Sequence, residues 1–124
     1  MRNPVNWFEI YVQDMDRARA FYEQVLDCKL EPITPPDNEL SMLAFAGDPG
    51  NPGASGALVQ VAGKDSAVNS VIVYFSCEDC AVEAARVEAA GGKLEREKMS
   101  IGDYGFIALA LDRDGNMFGL HSMQ

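Results

Sequence analysis

NWFEIYVQDMDRARAFYEQVLDCKLE, residues 6–31, reads as a strand, an acidic junction, a helix and the opening of a second strand. Strand alternation sends Phe8, Ile10 and Val12 to one face and Trp7, Glu9 and Tyr11 to the other. The first set is an ordinary core face. The second sets a carboxylate between two aromatics. Asp14 stands where a helix N-cap is wanted, with an oxygen to accept an orphan N–H. From Met15 to Leu26, the residues Ala18, Phe21, Tyr22, Val25 and Leu26 recur at helical spacing and form the expected packed face. The plan returns in SVIVYFSCEDCAVEAARVEAAGGKLE, residues 70–95. There Asp79 takes the cap position, Val82, Ala85 and Ala89 form the expected packed face, and Gly91-Gly92 stops the helix. Both copies close on Lys-Leu-Glu.

Two further strands follow in each half. They are expected near Leu40–Ala46 and Gly56–Ala62 in the first, and near Tyr104–Leu111 and Met117–Met123 in the second. The last pair is joined by Asp112-Arg113-Asp114-Gly115-Asn116, in which Asp-Gly signals a tight hairpin turn. EPITPPDN (31–38) and GDPGNPGASG (47–56) read as proline- and glycine-rich loops. The chain is therefore expected to be α+β, with two βαβββ modules, 1–64 and 65–124, forming one compact domain. A four-stranded unit with one helix covers a single face of its sheet. Two such units with curved mixed sheets can enclose a cavity, where ligands usually bind.

Composition narrows the partners. The chain has 124 residues, 48% of them hydrophobic and 23% charged, with a net charge of −9. That acidity argues against nucleic acid and anionic membranes. The longest apolar run, Phe106 to Leu111, is 6 residues, far short of a membrane span. MRNPVNWFEI lacks the apolar core of a signal peptide, so a cytoplasmic location is expected. The three cysteines, Cys28, Cys77 and Cys80, are an odd count and suggest reduced thiols. Cys77-Glu78-Asp79-Cys80 has the spacing of a redox pair, but its two carboxylates oppose a thiolate, and structural cysteines are expected.

The stretches WFEIYVQDMDRARAFYEQVL, ASGALVQV, YFSCEDCAVEAARVEAAGGKLE and IGDYGFIALALDRDGNMFGLHS together resemble the vicinal oxygen chelate superfamily. This is the glyoxalase/bleomycin resistance protein/dioxygenase superfamily, and more narrowly the chain looks like its branch of uncharacterised bacterial proteins related to lactoylglutathione lyase. The resemblance implies that metal-using members place one inward ligand on each of four strands. The matching positions here are Trp7, Gln60, Ile72 and Gly119. Trp, Ile and Gly cannot ligate a divalent cation through side chains, so no metal or other cofactor is expected. A set shifted along the strands, Glu9, Gln60 and His121, is the metal-binding alternative.

The resemblance also implies that Trp7, Glu9 and Tyr11 face the cavity, as do Leu58 and Gln60, Ile72 and Tyr74, and Gly119 and His121. Such a wall, aromatic and apolar with a few polar groups, suits a small organic molecule. Glu9, buried among aromatics, suits a general base. It equally suits an anchor for a cationic ligand beside Trp7 and Tyr11, or a structural ion pair. His121 is the only histidine and, with Tyr74, is a candidate proton donor. Tyr104 is placed to cover the mouth, and Gly119 to leave room for ligand. No nucleophile elbow, P-loop or dinucleotide fingerprint is present. Three functions follow as expectations. The first is metal-independent binding of a small molecule, with lyase- or isomerase-type proton transfer. The second is sequestration of a toxic compound, as in bleomycin-resistance proteins. The third is a metalloenzyme of glyoxalase or dioxygenase type. A homodimer is expected from the same resemblance.

Overall fold

The computed structural model describes residues 2–36, 38–48, 50–62 and 70–124. The expected module boundary at 64/65 lies outside the described residues, as do Asp37 and Pro49 of the two expected loops. The strands are β1 (Val5–Tyr11), β2 (Glu31–Pro32), β3 (Leu40–Ala44), β4 (Ser55–Val61), β5 (Val71–Ser76), β6 (Lys93–Ser100), β7 (Phe106–Leu111) and β8 (Met117–Ser122). Helix α1 spans Met15–Leu26 and α2 spans Cys80–Ala84, with a 3₁₀ turn at Gly102–Tyr104. The fold is α+β with the βαβββ order in each half. The chain divides into an N-terminal unit, Trp7–Val71, and a C-terminal unit, Ile72–Gln124 together with the segment up to Asn6. That segment is tied down where Ser76 N–H donates to Pro4 O at 2.8 Å.

In the N-terminal unit the strand order is β2-β3-β4-β1. β1 runs parallel to β4, with Glu9 beside Ala57 and Tyr11 beside Val59. The other neighbours are antiparallel. Leu30, Leu43 and Leu58 form the core under α1, joined by Ile10, Val12, Met15, Ala18 and Tyr22. As expected, Ile10 and Val12 turn toward the helix and Trp7 and Tyr11 turn away. Asp14 caps α1 by accepting from Arg17 N–H at 3.1 Å. Glu23 and Arg19 fasten the helix to the core. Glu23 accepts from Leu30 N–H at 2.8 Å, and Arg19 donates to Leu30 O at 3.0 Å. The Leu30 N–H, then Arg19, holds the Glu23 carboxyl below its usual range.

The packed face of α1 differs from the expected one. Ala18 and Tyr22 meet the core, but Phe21, Val25 and Leu26 are exposed, and α1 buries no residue fully.

In the C-terminal unit the order is β5-β8-β7-β6, with β5 parallel to β8 and the rest antiparallel. Asp79 caps α2 through Ala81 N–H at 3.0 Å. The expected face of α2 is also corrected. The helix ends at Ala84, short of the expected stop at Gly91-Gly92; Cys80 and Ala84 within it and Val87 in the turn that follows are buried, while Val82, Ala85 and Ala89 are exposed. These positions still recur at helical spacing, but they start from a cysteine, which behaves as a small core residue. The hairpin at Asp112–Asn116 closes as expected. Asp112 accepts from the N–H groups of Asp114 and Asn116, and Gly115 supplies φ of 86°. Asn116 also donates its side-chain amide, and these bonds keep the Asp112 carboxyl below its usual range.

Candidate functional site

On the N-terminal unit, the face turned away from α1 has an apolar floor of Met42, Ala57 and Val59, with Trp7, Tyr11, Ile33 and Leu40 packed on it. Glu9 stands in this face and is only 9% exposed. Its neighbours two residues away on the strand hold it. Trp7 Nε1–H donates to Oε2 at 3.1 Å, and Tyr11 O–H donates to Oε1 at 2.9 Å. Two donors thus converge on one buried carboxyl group.

Leu58 and Gln60 do not belong to this face. The register that sets Val59 beside Tyr11 turns both of them toward α1. Leu58 is fully buried there with Leu30 and Leu43. Gln60 bridges the helix entrance, accepting from Met15 N–H at 3.0 Å and donating to Gln13 O at 2.8 Å. Its polarity, read from sequence as that of a cavity residue, serves the orphan groups of a helix N-terminus.

On the C-terminal unit, Tyr74 pairs with Gly119, and Ser76 with His121. Ile72, Tyr74, Gly119 and His121 therefore share the face opposite α2, as expected. Ile72 and Tyr74 are each 5% exposed. The Tyr74 ring lies across Gly119 so closely that a Cβ there would overlap it. The absent side chain thus accommodates the Tyr74 ring.

His121 has both ring nitrogens engaged. Nε2–H donates to Tyr104 O at 2.6 Å, and Nδ1 accepts from Asn6 Nδ2–H at 3.1 Å. A carbonyl can only accept, so the Tyr104 bond fixes the Nε2–H tautomer. Tyr104 itself, in the 3₁₀ turn, is half-exposed. A cleft of about 370 Å³ opens beside His121, lined by Asn6, Cys77, Glu78 and Met123 among others. Sequence reasoning passed over Asn6, whose side-chain oxygen is buried and has no partner among the described residues. Cys77 sits in the same wall. Burial, then the Glu83 charge, pushes its thiol up to about 11, so it is a thiol at neutral pH. All three cysteines are free.

The metal positions of the family pattern do not fit a metal here. Trp7, Ile72 and Gly119 offer no ligating atom, and Gln60 is turned to α1. The β4 residues that do share the face of Trp7, Ala57 and Val59, offer none either. The shifted set fails at the same point, because Glu9 and Gln60 lie on opposite faces of the N-terminal sheet. Among the described residues, no group of three or more His, Cys, Asp and Glu is arranged to hold a metal ion. No helix among them is long and apolar enough to cross a membrane.

Comparison with known proteins agrees with this architecture. The chain resembles a variant of Streptomyces coelicolor methylmalonyl-CoA epimerase in complex with 2-nitronate-propionyl-CoA. The TM-score is 0.74 at 14% identity, covering 98% of this chain and 95% of that one. For methylmalonyl-CoA epimerase from Mycobacterium tuberculosis the TM-score is 0.69 at 18% identity, covering 98% and 88%. A hypothetical protein from Bacillus halodurans gives 0.75 at 10% identity, covering 97% and 94%. At such identities the likeness establishes the fold alone. No curated protein sequence matches the chain. The family model described as Glyoxalase/Bleomycin resistance protein/Dioxygenase superfamily matches residues 5–120. By that match the chain belongs to the glyoxalase/bleomycin resistance protein/dioxygenase superfamily.

Proposed function

We propose that this protein binds a small organic molecule against the Trp7–Glu9–Tyr11 face without a metal, and catalyses a lyase- or isomerase-type proton transfer on it. Glu9 is the base. The observation that carries this reading is a buried carboxylate held by two aromatic donors, in a face with no metal-ligating residue at the family positions. The two donors fix the orientation of the carboxyl group, and a carboxylate so positioned can remove a proton beside a carbonyl. Trp7 and Tyr11 present ring surface to an apolar substrate. The likeness to methylmalonyl-CoA epimerases supports an isomerase class, and it leaves the substrate open. Tyr74 and His121 enter as the packing and positioning residues of the C-terminal unit. We also infer a homodimer, as is common in the superfamily.

A second reading rests on the same carboxylate. Glu9 between two aromatic rings, in a chain of net charge −9, suits the capture of a cationic aromatic compound without turnover. One experiment separates the two. Trp7 is the only tryptophan, so its fluorescence reports ligand at this face. Compounds that quench it are incubated with protein in deuterated water and followed by NMR. Deuterium incorporation that disappears in Glu9→Gln supports catalysis. Binding of an intact, unexchanged cation supports sequestration. Incorporation that persists in Glu9→Gln removes Glu9 as the base.

A further inference from the structure

Among the described residues, the exposed side of α1 has no partner of its own within the N-terminal unit. By helical spacing Val25 and Leu26 belong with Ala18 and Tyr22, on the arc that faces the sheet. Yet Phe21, Val25 and Leu26 are 59%, 61% and 55% exposed. The last turn of α1 overhangs a cleft of about 550 Å³, walled by Phe8, Ile10, Tyr22, Leu26 and Phe45. The walls are well ordered by contact. Phe8 lies against Gly56, where a Cβ would overlap its ring, and it stacks on Phe45 at 5.5 Å. Tyr22 meets Phe45 edge-on at 5.9 Å and Phe21 at 5.1 Å, which makes the exposed stripe continuous with the cleft.

We propose that this stripe and cleft form the isologous interface of a homodimer, with Phe21 and Leu26 of each copy seated against the cleft of the other. The proposal rests on the homodimer reading above and adds its location. Three features select a second copy as the occupant. The first is area. The exposed parts of the three side chains leave roughly 300 Å² of apolar surface in one patch, and the cleft walls extend it toward the ~800 Å² that each partner contributes to a stable interface. The second is shape. A two-fold interface needs protrusion and recess on the same patch, and here they adjoin on one helix. The third is charge. Asp48 is the one charged residue among the described residues lining the cleft, and on the helix Arg19 and Glu23 are paired with each other at 3.1 Å and with the Leu30 backbone.

The test is light scattering on the full chain at about 100 µM, with circular dichroism to check folding. The wild type should be a dimer, and Phe21→Glu and Leu26→Glu should each weaken it at least 100-fold while the fold persists. Val82→Glu, which charges the exposed apolar residue of α2, should remain dimeric. A dimer retained in both α1 variants overturns the assignment of this face and leaves the homodimer reading intact. A monomeric wild type overturns both. A monomer whose cleft binds an apolar dye one-to-one, with the binding lost in Leu26→Glu, shows a small-molecule pocket and likewise overturns the proposal.

Discussion

Aligning Asp14 with Asp79, and then β4 with β8 through their pairing with β1 and β5, sets Gln60 of the N-terminal unit against Ser122 of the C-terminal unit, and the two side chains have the same job. Gln60 Oε1 accepts from Met15 N–H at 3.0 Å, and Ser122 Oγ accepts from Cys80 N–H at 3.0 Å. Each satisfies the first N–H of a helix whose cap is already an Asp. On the helix-facing side, then, the halves keep one device with different atoms. On the opposite side they part. Five residues before each cap stand Glu9 and Tyr74. The strand neighbour of Glu9 is Ala57, and that of Tyr74 is Gly119. Trp7 and Tyr11 grip a carboxylate in one half, whereas Ile72 and Ser76 flank a tyrosine that packs on a bare backbone in the other. Helix anchoring is duplicated while the opposite faces have diverged, with a buried carboxylate between two aromatics in the first half and a tyrosine packed on bare backbone in the second.

The largest effect that could break this contrast lies at the paired positions Glu9 and Tyr74. Under the proposed function, Glu9→Gln lowers turnover by about 10²–10⁴, the usual weight of a positioned base, with little change in melting temperature. Tyr74→Ala does the reverse and costs about 3–5 kcal/mol of stability, as truncation of a buried aromatic does. Denaturant unfolding and a turnover assay on both variants decide it. If Tyr74→Phe alone abolishes turnover, the division of labour between the halves is wrong.

Next in size is Gly119→Ala. Its new methyl group meets the Tyr74 ring, and overpacking of this kind costs about 1–3 kcal/mol. The equivalent change in the first half, Ala57→Gly, removes one methyl from beneath Glu9 and should cost about 1 kcal/mol, by lost packing and added backbone freedom. Thermal unfolding of the two variants sharpens the comparison. A Gly119→Ala protein as stable as the wild type would mean that Tyr74 moves aside freely and that the space is available to a ligand after all.

How far these features were legible in the sequence follows from the same comparison. The βαβββ order, both Asp caps and the 112–116 hairpin could be read because each depends on local chemistry, an oxygen for an orphan N–H or a glycine for φ of 86°. The Trp7–Glu9–Tyr11 face was readable from strict alternation. Alternation failed at β4, where AlaLeuValGln offers no clear apolar face, and parity there is set by the parallel register with β1. That is how Gln60 and Leu58 were placed on the wrong side. Helix α2 was misphased for a related reason, since its packed face begins with Cys80. The contacts of His121 with Asn6 and with the Tyr104 carbonyl depend on tertiary placement, which no local pattern encodes.

Gln60→Ala and Ser122→Ala test the shared device directly. Each leaves a helix N–H without its acceptor, at a cost of about 1–3 kcal/mol where the site excludes water. Cys80 and Ser122 are buried and Gln60 is not, so Ser122→Ala should cost more. Equal losses measured by urea unfolding would mean that burial does not separate the two anchors.

The smallest effect concerns a difference between the caps themselves. Lys98 Nζ donates to Asp79 Oδ1 at 2.8 Å. That bond first, and the Ala81 N–H second, hold the Asp79 carboxyl below its usual range. Lys98 is also fixed by Gln124 O at 3.0 Å and lies 4.7 Å from the centre of the Phe106 ring. A carboxyl whose folded pKa is depressed binds protons less readily than the unfolded chain does. Its contribution is therefore complete above the unfolded pKa of about 4 and lost as pH falls through the lower folded value. Asp79 is open to solvent, so the contribution is small and screened by salt. Lys98→Met should accordingly reduce stability slightly at pH 7 and low ionic strength, and the deficit relative to wild type should shrink between pH 4 and pH 2. A deficit unchanged at pH 2 would assign the role of Lys98 to its stem on Phe106, and the two caps would then differ in packing and not in charge.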